Sequence, residues 1–384
     1  MHNLRIFDLN EELVTNQHSQ IMKQPVVAIA LSGGIDSLVA GYLLKQKYKN
    51  VFGIHFQTGY EKTSPDISLI QDQLDLPIKC IDLSSVFEEK VVSCFVQTYL
   101  KGKTPNPCVL CNKEIKFGVL MSHALSLGAD FLATGHYANI ANRITSPDNF
   151  SGRSYLKKAD DSLKDQSYFL SLLSSSQLEK IIFPLAGMTK DEVRSLALSC
   201  KLSPLHKKES QDICFIHNQS ISEFILEKKQ IKAKPGNITD TEGKIIGEHN
   251  GLHQFTIGQR RGINVPAKEP YYVKGLDMEN NILEVCFKND LAIKSFQLEN
   301  IHWNSDYPAN AKQNLDSDLQ DIVLHDIITQ IRYNHKGALS TLVMKTMKED
   351  SGRVHFHEPQ NAVTPGQTAV FYKADRVLGA GFIK

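Results

Sequence analysis

The first half of the chain alternates short apolar runs with amphipathic stretches. Four apolar runs predict strands because they are short and rich in branched residues: Val26–Leu31, Val51–Phe56, Ile78–Leu83 and Phe131–Thr134. The stretch Leu38–Lys47, which follows the first run, predicts a helix. This alternation predicts an α/β fold with a doubly wound parallel sheet. Ligands of such sheets bind beyond the carboxyl ends of the strands, where Ser32–Ser37 and Thr134–His136 both fall.

The second half has a different pattern, with short segments and frequent turns. After Phe215 turn residues recur, which indicates a small domain rich in loops and β-structure. From about Ala292 onward, alternating segments predict a β-barrel or a sandwich, among them Ile328–Tyr333, Leu339–Lys345 and Thr368–Tyr372. We therefore divide the chain into an N-terminal extension at 1–24, an α/β domain at 25–216, a central linker domain at 217–290 and a C-terminal β domain at 291–384.

Composition and charge narrow the class of protein. The 384 residues suffice for two or three domains. Lys and Arg (43) nearly balance Asp and Glu (42), so a nucleic-acid surface must come from local clusters of charge. No apolar run approaches the ~20 residues that span a bilayer, and the polar N-terminus is unlike a signal peptide. We therefore expect a cytoplasmic protein without membrane contact. There, seven cysteines indicate chemistry or metal binding instead of a disulfide framework.

The segment Ser32–Ser37, Ser-Gly-Gly-Ile-Asp-Ser, predicts a phosphate site between a strand and a helix N-terminus. Free backbone amides and the positive end of the helix dipole attract anions, and two glycines allow close approach. The segment lacks the lysine of a P-loop and the three glycines of a dinucleotide fingerprint. Asp36 stands where a carboxylate could hold Mg²⁺ on a polyphosphate. The pattern resembles the loop of N-type ATP pyrophosphatases, which cleave ATP to AMP and pyrophosphate.

A second dense motif, Lys103–Lys113, contains Cys108 and Cys111. We expect its two prolines to discourage helix and to present both cysteines on a fixed loop. Nearby lysines, Lys103, Lys113 and Lys116, would favour the nucleophilic thiolate. Cys214 is a third candidate, whereas the remaining four are expected to be buried small hydrophobes: Cys80, Cys94, Cys200 and Cys286.

These motifs together resemble the tRNA-specific 2-thiouridylases, which replace the C2 oxygen of a wobble uridine by sulfur. The resemblance runs from about Pro25 to the C-terminal part and includes Ser32–Ser37, Thr104–Phe117, Ala133–Ala138, Lys164–Leu170, Cys214–Ile216, Gly247–Gly262, Arg332-Tyr333 and Val363–Gln367. It implies an ATP pyrophosphatase domain of the α/β class, a small central α+β domain and a C-terminal β-barrel that binds tRNA.

The resemblance also implies a site and a two-step reaction. ATP, with Mg²⁺, would activate the uridine O2 as an adenylate, and Cys214 would carry sulfur as a persulfide from an upstream donor such as a desulfurase. Cys111 would be the nucleophile that releases sulfide or forms a disulfide with Cys214. The residues implied for ATP are Ala30, Leu31, Ser32, Gly33, Gly34, Ile35, Asp36, Ser37, Phe56 and Gly135. Those for the target base are Asn106, Pro107 and Cys108, and those for tRNA are Lys164, Asp165, Gln166, Arg332 and Tyr333. His136 and Gln367 are further functional candidates.

One departure from the family opens an alternative. Many relatives have Asp where this chain has Cys108, so a carboxylate role cannot be transferred to that position. Cys108, Cys111 and Cys214 could instead hold a [4Fe–4S] cluster with one iron open to sulfide. Two other classes share parts of the pattern: amide-forming ATP pyrophosphatase synthetases, and a non-catalytic RNA-binding protein with a relict nucleotide fold.

Overall fold

The computed structural model describes residues 24–61, 66–141, 154–205, 212–304, 321–332, 336–344 and 350–384. The predicted N-terminal extension therefore lies outside the described residues, apart from Gln24, and so does Tyr333. Within the described ranges, no helix is long and apolar enough to cross a membrane.

A parallel sheet forms the centre of the α/β domain. The strands of this part of the chain are β1 (Val26–Ala30), β2 (Asn50–Gln57), β3 (Ile78–Asp82), β4 (Phe131–Ala133), β5 (Asn139–Ala141), β6 (Tyr155–Lys157) and β7 (Ile181–Ile182). Among the described residues, five of them pair in the order β3-β2-β1-β4-β7, with parallel register throughout. The central strand β1 is apolar on both faces because helices cover both. The predicted doubly wound sheet is confirmed.

Helices pack on both faces of the sheet and enclose two hydrophobic cores. They are α1 (Ile35–Lys47), α2 (Ile67–Leu74), α3 (Ser84–Phe87), α4 (Ser93–Leu100), α5 (Pro107–Leu110), α6 (Met121–Ser126), α7 (Ser175–Leu178), α8 (Lys190–Ser199) and α9 (Ile221–Lys229). One core contains Ile54 and Phe95, and the other contains Ile29, Leu38 and Val193. A pair of wider, π-helical segments joins α3 to α4 and α5 to α6, at Glu88–Val92 and Cys111–Leu120.

The cysteine motif is helical, so the prediction of a fixed loop is wrong. Helix α5 begins at Pro107, places Cys108 in its first turn and continues into the π-helical segment that begins at Cys111. Proline is well tolerated at the first helical position, where its missing N–H is not needed and its φ suits the helix. The prolines therefore set where the helix begins, and they do not exclude it.

Two β-structures follow the α/β domain. The central one has the strands β8 (Gly236–Thr239), β9 (Ile245–His249), β10 (Tyr272–Asp277) and β11 (Ile282–Cys286), in the order β10-β11-β8-β9. The last one has the strands β12 (Ile293–Trp303), β13 (Ile322–Gln330), β14 (Ala338–Met344), β15 (Gly352–Gln360), β16 (Thr368–Lys373) and β17 (Arg376–Ile383).

The last β-structure is a closed barrel. Its described strands run β12-β15-β14-β13-β16-β17, and β12 also pairs with β17, which closes the ring. The choice between barrel and sandwich is therefore settled in favour of the barrel. Strand β17 also pairs with β6, and the Lys158 amide donates a hydrogen bond to the Asp375 carbonyl. The barrel is thus joined to the α/β domain by backbone hydrogen bonds.

Candidate functional site

The loop Ser32–Ser37 lies between β1 and α1 and is held by its own hydroxyl groups. The Ser37 hydroxyl donates to the Gly34 carbonyl at 2.8 Å and accepts from the Ser32 amide at 3.3 Å. Helix α1 begins at Ile35, and no side chain caps its N-terminus. The first amides of a helix have no partner within the helix, so this end can bind an anion.

Gly135 brings the end of β4 against the same loop. A Cβ atom at this position would lie 2.8 Å from the Asp36 carbonyl carbon and 2.8 Å from the Ser37 nitrogen. Only glycine allows this approach of two backbones, so Ser32–Ser37 and Thr134–His136 share one crevice.

Three further residues predicted to bind ATP lie beside this loop. Ala30 ends β1, Leu31 follows it, and Phe56 lies half-buried in β2. Within the loop, Ile35 begins α1. The Leu31 carbonyl accepts a hydrogen bond from Nδ1 of the buried His55 at 2.9 Å. This bond ties the loop to β2.

Asp36 is engaged by two residues that the sequence analysis missed. The Lys190 ammonium lies 2.7 and 2.8 Å from its two carboxylate oxygens, and the Tyr137 hydroxyl donates to Oδ1 at 2.7 Å. Lys190 is the first residue of α8, 154 positions away along the chain. No local signal marks it, because a lysine after a capping threonine is usually a surface residue. Tyr137 could have been noticed, since it directly follows the Thr134–His136 motif.

His136 is a neutral imidazole between the nucleotide loop and the cysteine helix. Its Nδ1 lies 2.7 Å from the Thr134 hydroxyl, and its Nε2 lies 3.4 Å from the Lys116 ammonium. Since an ammonium only donates, Nε2 accepts and Nδ1 carries the proton. Burial lowers the pKa of His136 well below its usual value, and the charge of Lys116 lowers it further. His136 therefore stays uncharged at neutral pH.

Cys111 and Cys214 are thiols with raised pKa values, so the expectation of lysine-stabilised thiolates is wrong. Burial raises the pKa of Cys111 to about 12, against the opposing charge of Lys116. Burial also raises the pKa of Cys214, and the neighbouring Cys108 raises it further. The charge of Lys116 again acts in the opposite direction. Cys214 is nevertheless exposed to solvent. Both properties fit a thiol in an open crevice with protein on most sides. Desolvation thus outweighs one nearby cation.

The other two lysines of that expectation are engaged elsewhere. The Lys103 ammonium pairs with Glu299 at 2.7 Å, and Lys113 lies 4.0 Å from Glu114. Of the three lysines, only Lys116 lowers the pKa of Cys111.

All seven cysteines are free thiols, and their burial differs from the expectation for the four outside the site. Cys286 is buried as expected. Cys80 and Cys94 are exposed and Cys200 is partly exposed, so for these three the expectation is wrong. Cys80 and Cys94 occupy exposed positions of β3 and α4, and Cys200 follows the end of α8, where it packs only partly against the core.

The described residues contain no group of three His, Cys, Asp or Glu side chains arranged to hold a metal ion. Cys108, Cys111 and Cys214 nevertheless lie close enough for their charges to influence each other, since Cys108 and Cys214 both raise the pKa of Cys111. The three thiols share a region without forming a ready ligand set for a cluster. Asp36 offers one carboxylate, which suits Mg²⁺ because that ion takes most of its remaining ligands from phosphates and water.

The residues ahead of the cysteines are held by the other two domains. The Gln367 amide nitrogen donates to the Thr104 carbonyl at 2.8 Å, and the Thr104 amide donates to the Pro365 carbonyl at 2.8 Å. The Thr104 hydroxyl donates to the Thr256 hydroxyl of the central domain at 3.2 Å. The barrel and the central domain therefore fix the chain just before Asn106.

The predicted base-contact residues differ in their exposure. Asn106 and Pro107 are buried, whereas Cys108 is exposed on the first turn of α5. The side-chain nitrogen of Asn106 lies beside the Tyr168 hydroxyl but makes no hydrogen bond of good geometry among the described residues. A buried donor with so poor a partner costs free energy, which a polar ligand would recover.

The predicted tRNA-binding residues divide into structural and accessible ones. The Asp165 carboxylate accepts from the amides of Ala159 and Ser167, and Gln166 exchanges hydrogen bonds with the Tyr137 backbone. Lys164 is half-buried. These contacts give Asp165 and Gln166 a structural role, and their contact with tRNA stays a prediction.

Arg332 meets Asp165 across a small cleft between the α/β domain and the barrel. The cleft has a volume of about 220 Å³ and is lined by Ser162, Leu163, Asp165, Tyr168, Phe169, Gln330 and Arg332. The Arg332 guanidinium lies 5.6 Å from the centre of the Phe169 ring. The structure thus brings together two residues that are 167 positions apart in the sequence.

Comparison with known families identifies the class of protein. Residues 25–218 match the family described as "tRNA methyl transferase HUP domain", and residues 222–287 match "tRNA methyl transferase PRC-barrel domain". Residues 293–383 match "Aminomethyltransferase beta-barrel domain". The fold and the site therefore define a three-part protein of this HUP-domain family.

Full-length relatives identify the family more closely. A "tRNA-specific 2-thiouridylase MnmA" of Desulfosudis oleivorans is 44% identical over 362 residues, which cover 94% of this chain and 95% of the relative. One from Desulfotalea psychrophila is 40% identical and covers 94% of this chain and 100% of the relative. A "tRNA-specific 2-thiouridylase MnmA 2" of a Thermoanaerobacter species is 39% identical over 93% of this chain and 97% of the relative. The chain belongs to the family of tRNA-specific 2-thiouridylases.

Proposed function

We propose that the protein is a sulfurtransferase that uses ATP to replace the C2 oxygen of the wobble uridine of tRNA by sulfur. Relatives that align with this chain over nearly their full length are named for this activity. One observation supports the proposal most directly: Lys116 contacts His136 beside the nucleotide loop and also acts on the thiol of Cys111. An activating site and a sulfur site therefore adjoin.

The first half of the reaction activates the uridine. ATP binds Ala30–Ser37, with backbone contacts near Phe56 and Gly135, and the amides at the start of α1 receive phosphate oxygens. The uridine O2 attacks the α-phosphorus, the bond to the β-phosphate oxygen breaks, and pyrophosphate leaves. Asp36 would hold Mg²⁺, which would supply neutralisation of the polyphosphate charge. The product is a base whose C2 oxygen leaves as part of AMP.

The second half replaces that oxygen. Cys214 carries a persulfide received from an upstream donor. Cys111 either attacks the Cys214 sulfur and releases hydrosulfide, which adds to C2, or attacks after the terminal sulfur has added to C2. In both orders AMP leaves, a Cys111–Cys214 disulfide forms, and an external thiol reduces it. Because burial raises the pKa of Cys111 to about 12, its deprotonation in the field of Lys116 is part of this step.

The tRNA is placed by the loop before α5 and by the cleft at Arg332. Asn106, Pro107 and Cys108 receive the target base, which must leave its stack to present O2. Lys164, Asp165, Gln166, Arg332, Tyr333 and Gln367 contact or position the tRNA, and His136 positions phosphate or base. The α/β domain at 25–216 would perform the chemistry, with 217–290 as a linker and 291–384 as the tRNA-binding barrel. A cytoplasmic location accords with a tRNA substrate and reduced thiols.

Sulfur delivery from a [4Fe–4S] cluster on Cys108, Cys111 and Cys214 is the second candidate route. The mutual influence of the three thiols favours it, whereas their arrangement in the described residues does not form a metal site. We derive no step through such a cluster. An amide-forming synthetase would use the nucleotide loop alone and would leave the thiols beside it without a role.

The test is a reaction of the full chain with ATP, Mg²⁺, a persulfide donor and unmodified tRNA, followed by nucleoside analysis. The expected product is 2-thiouridine, with AMP and pyrophosphate formed in equal amounts. Absence of 2-thiouridine both in air and after anaerobic cluster reconstitution would overturn the proposal. Formation of an amide product from ammonia would favour the synthetase class.

A further inference from the structure

The residue that follows Cys214 is anchored among aromatic rings. Phe215 is buried, while Cys214 itself is exposed. The Phe215 ring lies 5.2 to 5.9 Å, centre to centre, from four other rings: Tyr60, Phe87, Phe95 and Phe224. Aromatic rings at such distances attract each other beyond the effect of their shared burial. The thiol is therefore attached directly to a fixed point of the hydrophobic core.

A hydrogen bond holds the same segment two residues further on. Nε2 of His217 lies 2.7 Å from the backbone carbonyl oxygen of Tyr60, 157 positions earlier in the chain. Because a carbonyl oxygen only accepts, the imidazole donates this bond. Tyr60 thus contacts the segment twice, through its ring at Phe215 and through its carbonyl at His217. Together these contacts leave Cys214 less freedom than either would alone.

Tyr60 is itself held in place by side chains of two other elements. Its hydroxyl group donates a hydrogen bond to the Glu88 carboxylate, at the start of the π-helical segment Glu88–Val92. Lys228 of α9 donates to both oxygens of Glu88, at 3.0 and 3.1 Å, and its ammonium lies 5.0 Å from the centre of the Tyr60 ring. A cation at that distance from an aromatic face is attracted by the ring. Tyr60 is therefore a rigid support for the segment that contains Cys214.

The loop Thr58–Glu61, which contains Tyr60, borders both halves of the site. It directly follows β2, whose carboxyl end shares an edge of the parallel sheet with the nucleotide loop. The Glu61 carboxylate closes the loop by accepting from two of its backbone amides, at 2.6 and 3.1 Å. Burial is the main cause of the raised pKa of Cys214, and the charge of Glu61 adds to it. The loop is therefore near the thiol as well as near the nucleotide site.

We propose that Tyr60 and His217 are positioning residues for sulfur transfer, which hold Cys214 within reach of Cys111 and of the base activated at the nucleotide loop. The inference rests on the proposed function, because it takes Cys214 as the carrier of the persulfide. Neither residue needs to contact tRNA, ATP or the moving sulfur. A displacement of about 1 Å can cost about a hundredfold in the rate of a positioned reaction. One hydrogen bond beside Cys214 is therefore sufficient to change the kinetics.

The direct test measures how close Cys214 stays to Cys111 when the hydrogen bond is removed. Full-length wild type and His217→Leu are equilibrated in glutathione buffers of known ratio, and the Cys111–Cys214 disulfide is quantified by peptide mapping. Its effective concentration relative to glutathione is expected to fall about tenfold in His217→Leu, because the segment gains freedom around Cys214. Single-turnover sulfur transfer should slow by a similar factor. ATP affinity and the KM for tRNA should stay unchanged, which a general structural defect would not allow.

Three further variants decide what causes the loss. His217→Gln is expected to restore most of the effective concentration, since its amide nitrogen can donate to the Tyr60 carbonyl in place of Nε2. Lys228→Met, at an exposed residue, should lower the value several-fold by loosening Glu88 and Tyr60. It tests the same support should His217→Leu fail to fold. His123→Leu is the matched control, because this residue is exposed on α6, and it should leave the value unchanged.

The outcomes that contradict the inference are equally specific. An unchanged disulfide equilibrium in His217→Leu would overturn it, as would an equal loss in His217→Gln or in His123→Leu. If His217→Leu does not fold, an unchanged value in Lys228→Met overturns it. Since the disulfide measurements need neither ATP nor tRNA, their failure is distinct from a failure to form 2-thiouridine.

Discussion

The side-chain amide of Gln367 donates a hydrogen bond to the backbone carbonyl of Thr104, 2.8 Å away. Gln367 lies just before β16 of the barrel, and Thr104 lies two residues before the buried Asn106. The barrel therefore sets the position of the segment that leads into the cysteine helix. A change in the barrel can therefore shift the thiols without contacting them.

We predict that Gln367→Leu slows thiolation while leaving ATP binding unchanged. The variant removes the donor to Thr104 and leaves a buried carbonyl without its partner, which costs about 1–3 kcal/mol of local stability. The turnover rate at saturating tRNA should fall about tenfold if that cost is borne in the transition state. Gln360→Leu, at the last residue of β15, is the control. An unchanged rate in Gln367→Leu would show that the segment is held without this bond.

Cys111→Ser and Cys214→Ser should each abolish 2-thiouridine formation and preserve ATP binding. The hydroxyl is a poor nucleophile and cannot carry a persulfide, whereas the nucleotide loop is untouched. Nucleoside analysis gives the first quantity and calorimetry with ATP gives the second. Cys94→Ser, at an exposed thiol on α4, should behave as the wild type. Full activity in either site variant would exclude the proposed sulfur route.

Cys108→Ser separates the two routes of sulfur delivery. If sulfur travels as a persulfide, the variant should keep most of its activity, because Cys111 and Cys214 carry the exchange. If it comes from a [4Fe–4S] cluster, the variant should lose both iron and activity after anaerobic reconstitution. Iron content and the absorption spectrum are measured on the wild type and the variant in parallel. Iron-free wild type with full activity would exclude the cluster.

The rate of sulfur transfer should rise with pH through the neutral range. A pKa of about 12 for Cys111 means that its thiolate fraction grows about tenfold per pH unit below that value. Single-turnover transfer from persulfidated enzyme to adenylated tRNA should therefore accelerate between about pH 6.5 and 8.5. Lys116→Met should slow it at every pH, since removal of the nearby charge raises the pKa of Cys111 further. A flat profile would show that deprotonation does not limit transfer.

His136 gives a separate prediction for stability. Its pKa in the folded chain lies well below its usual value, so the unfolded chain binds a proton that the folded one excludes. Stability from this residue is therefore complete above about pH 6.5 and is lost as the pH falls below it. His136→Gln should lessen that decrease in denaturant titrations at pH 7 and pH 5. An equal decrease in the wild type and the variant would contradict the neutral assignment.

The sequence predicted the elements well, because strand and helix patterns are local. The strand Val26–Leu31 and the helix that follows it differ from the structure only at their ends. The proline-rich motif failed because the same residue, Pro107, is compatible with a loop and with a helix start. The pattern of neighbouring residues in the sequence could not distinguish the loop from the helix start.

The sequence predicted the parts of the site whose residues are neighbours in the chain, and it did not predict the parts formed by residues that are distant in the chain. The loop Ser32–Ser37 carries its own signature, whereas the pairing of Asp36 with Lys190 joins two distant helices and leaves no mark in either segment. The state of the thiols was predicted wrongly for a similar reason. Lysines are visible in the sequence, but the burial that outweighs them arises only when Cys111 packs against the hydrophobic core in the folded chain.

Strand β17 has a consequence for how the protein matures. It closes the barrel against β12 and also pairs with β6, which belongs to the α/β domain. Every other described strand precedes it in the chain, so the β5–β6 pair gains this neighbour only after the other described strands of the barrel have been synthesised. A nascent chain that has already formed the nucleotide loop still lacks Gln367 and the bond that places Thr104. We therefore expect ATP binding to arise before the barrel has been made, and sulfur transfer to reach its full rate only once Gln367 and β17 are in place.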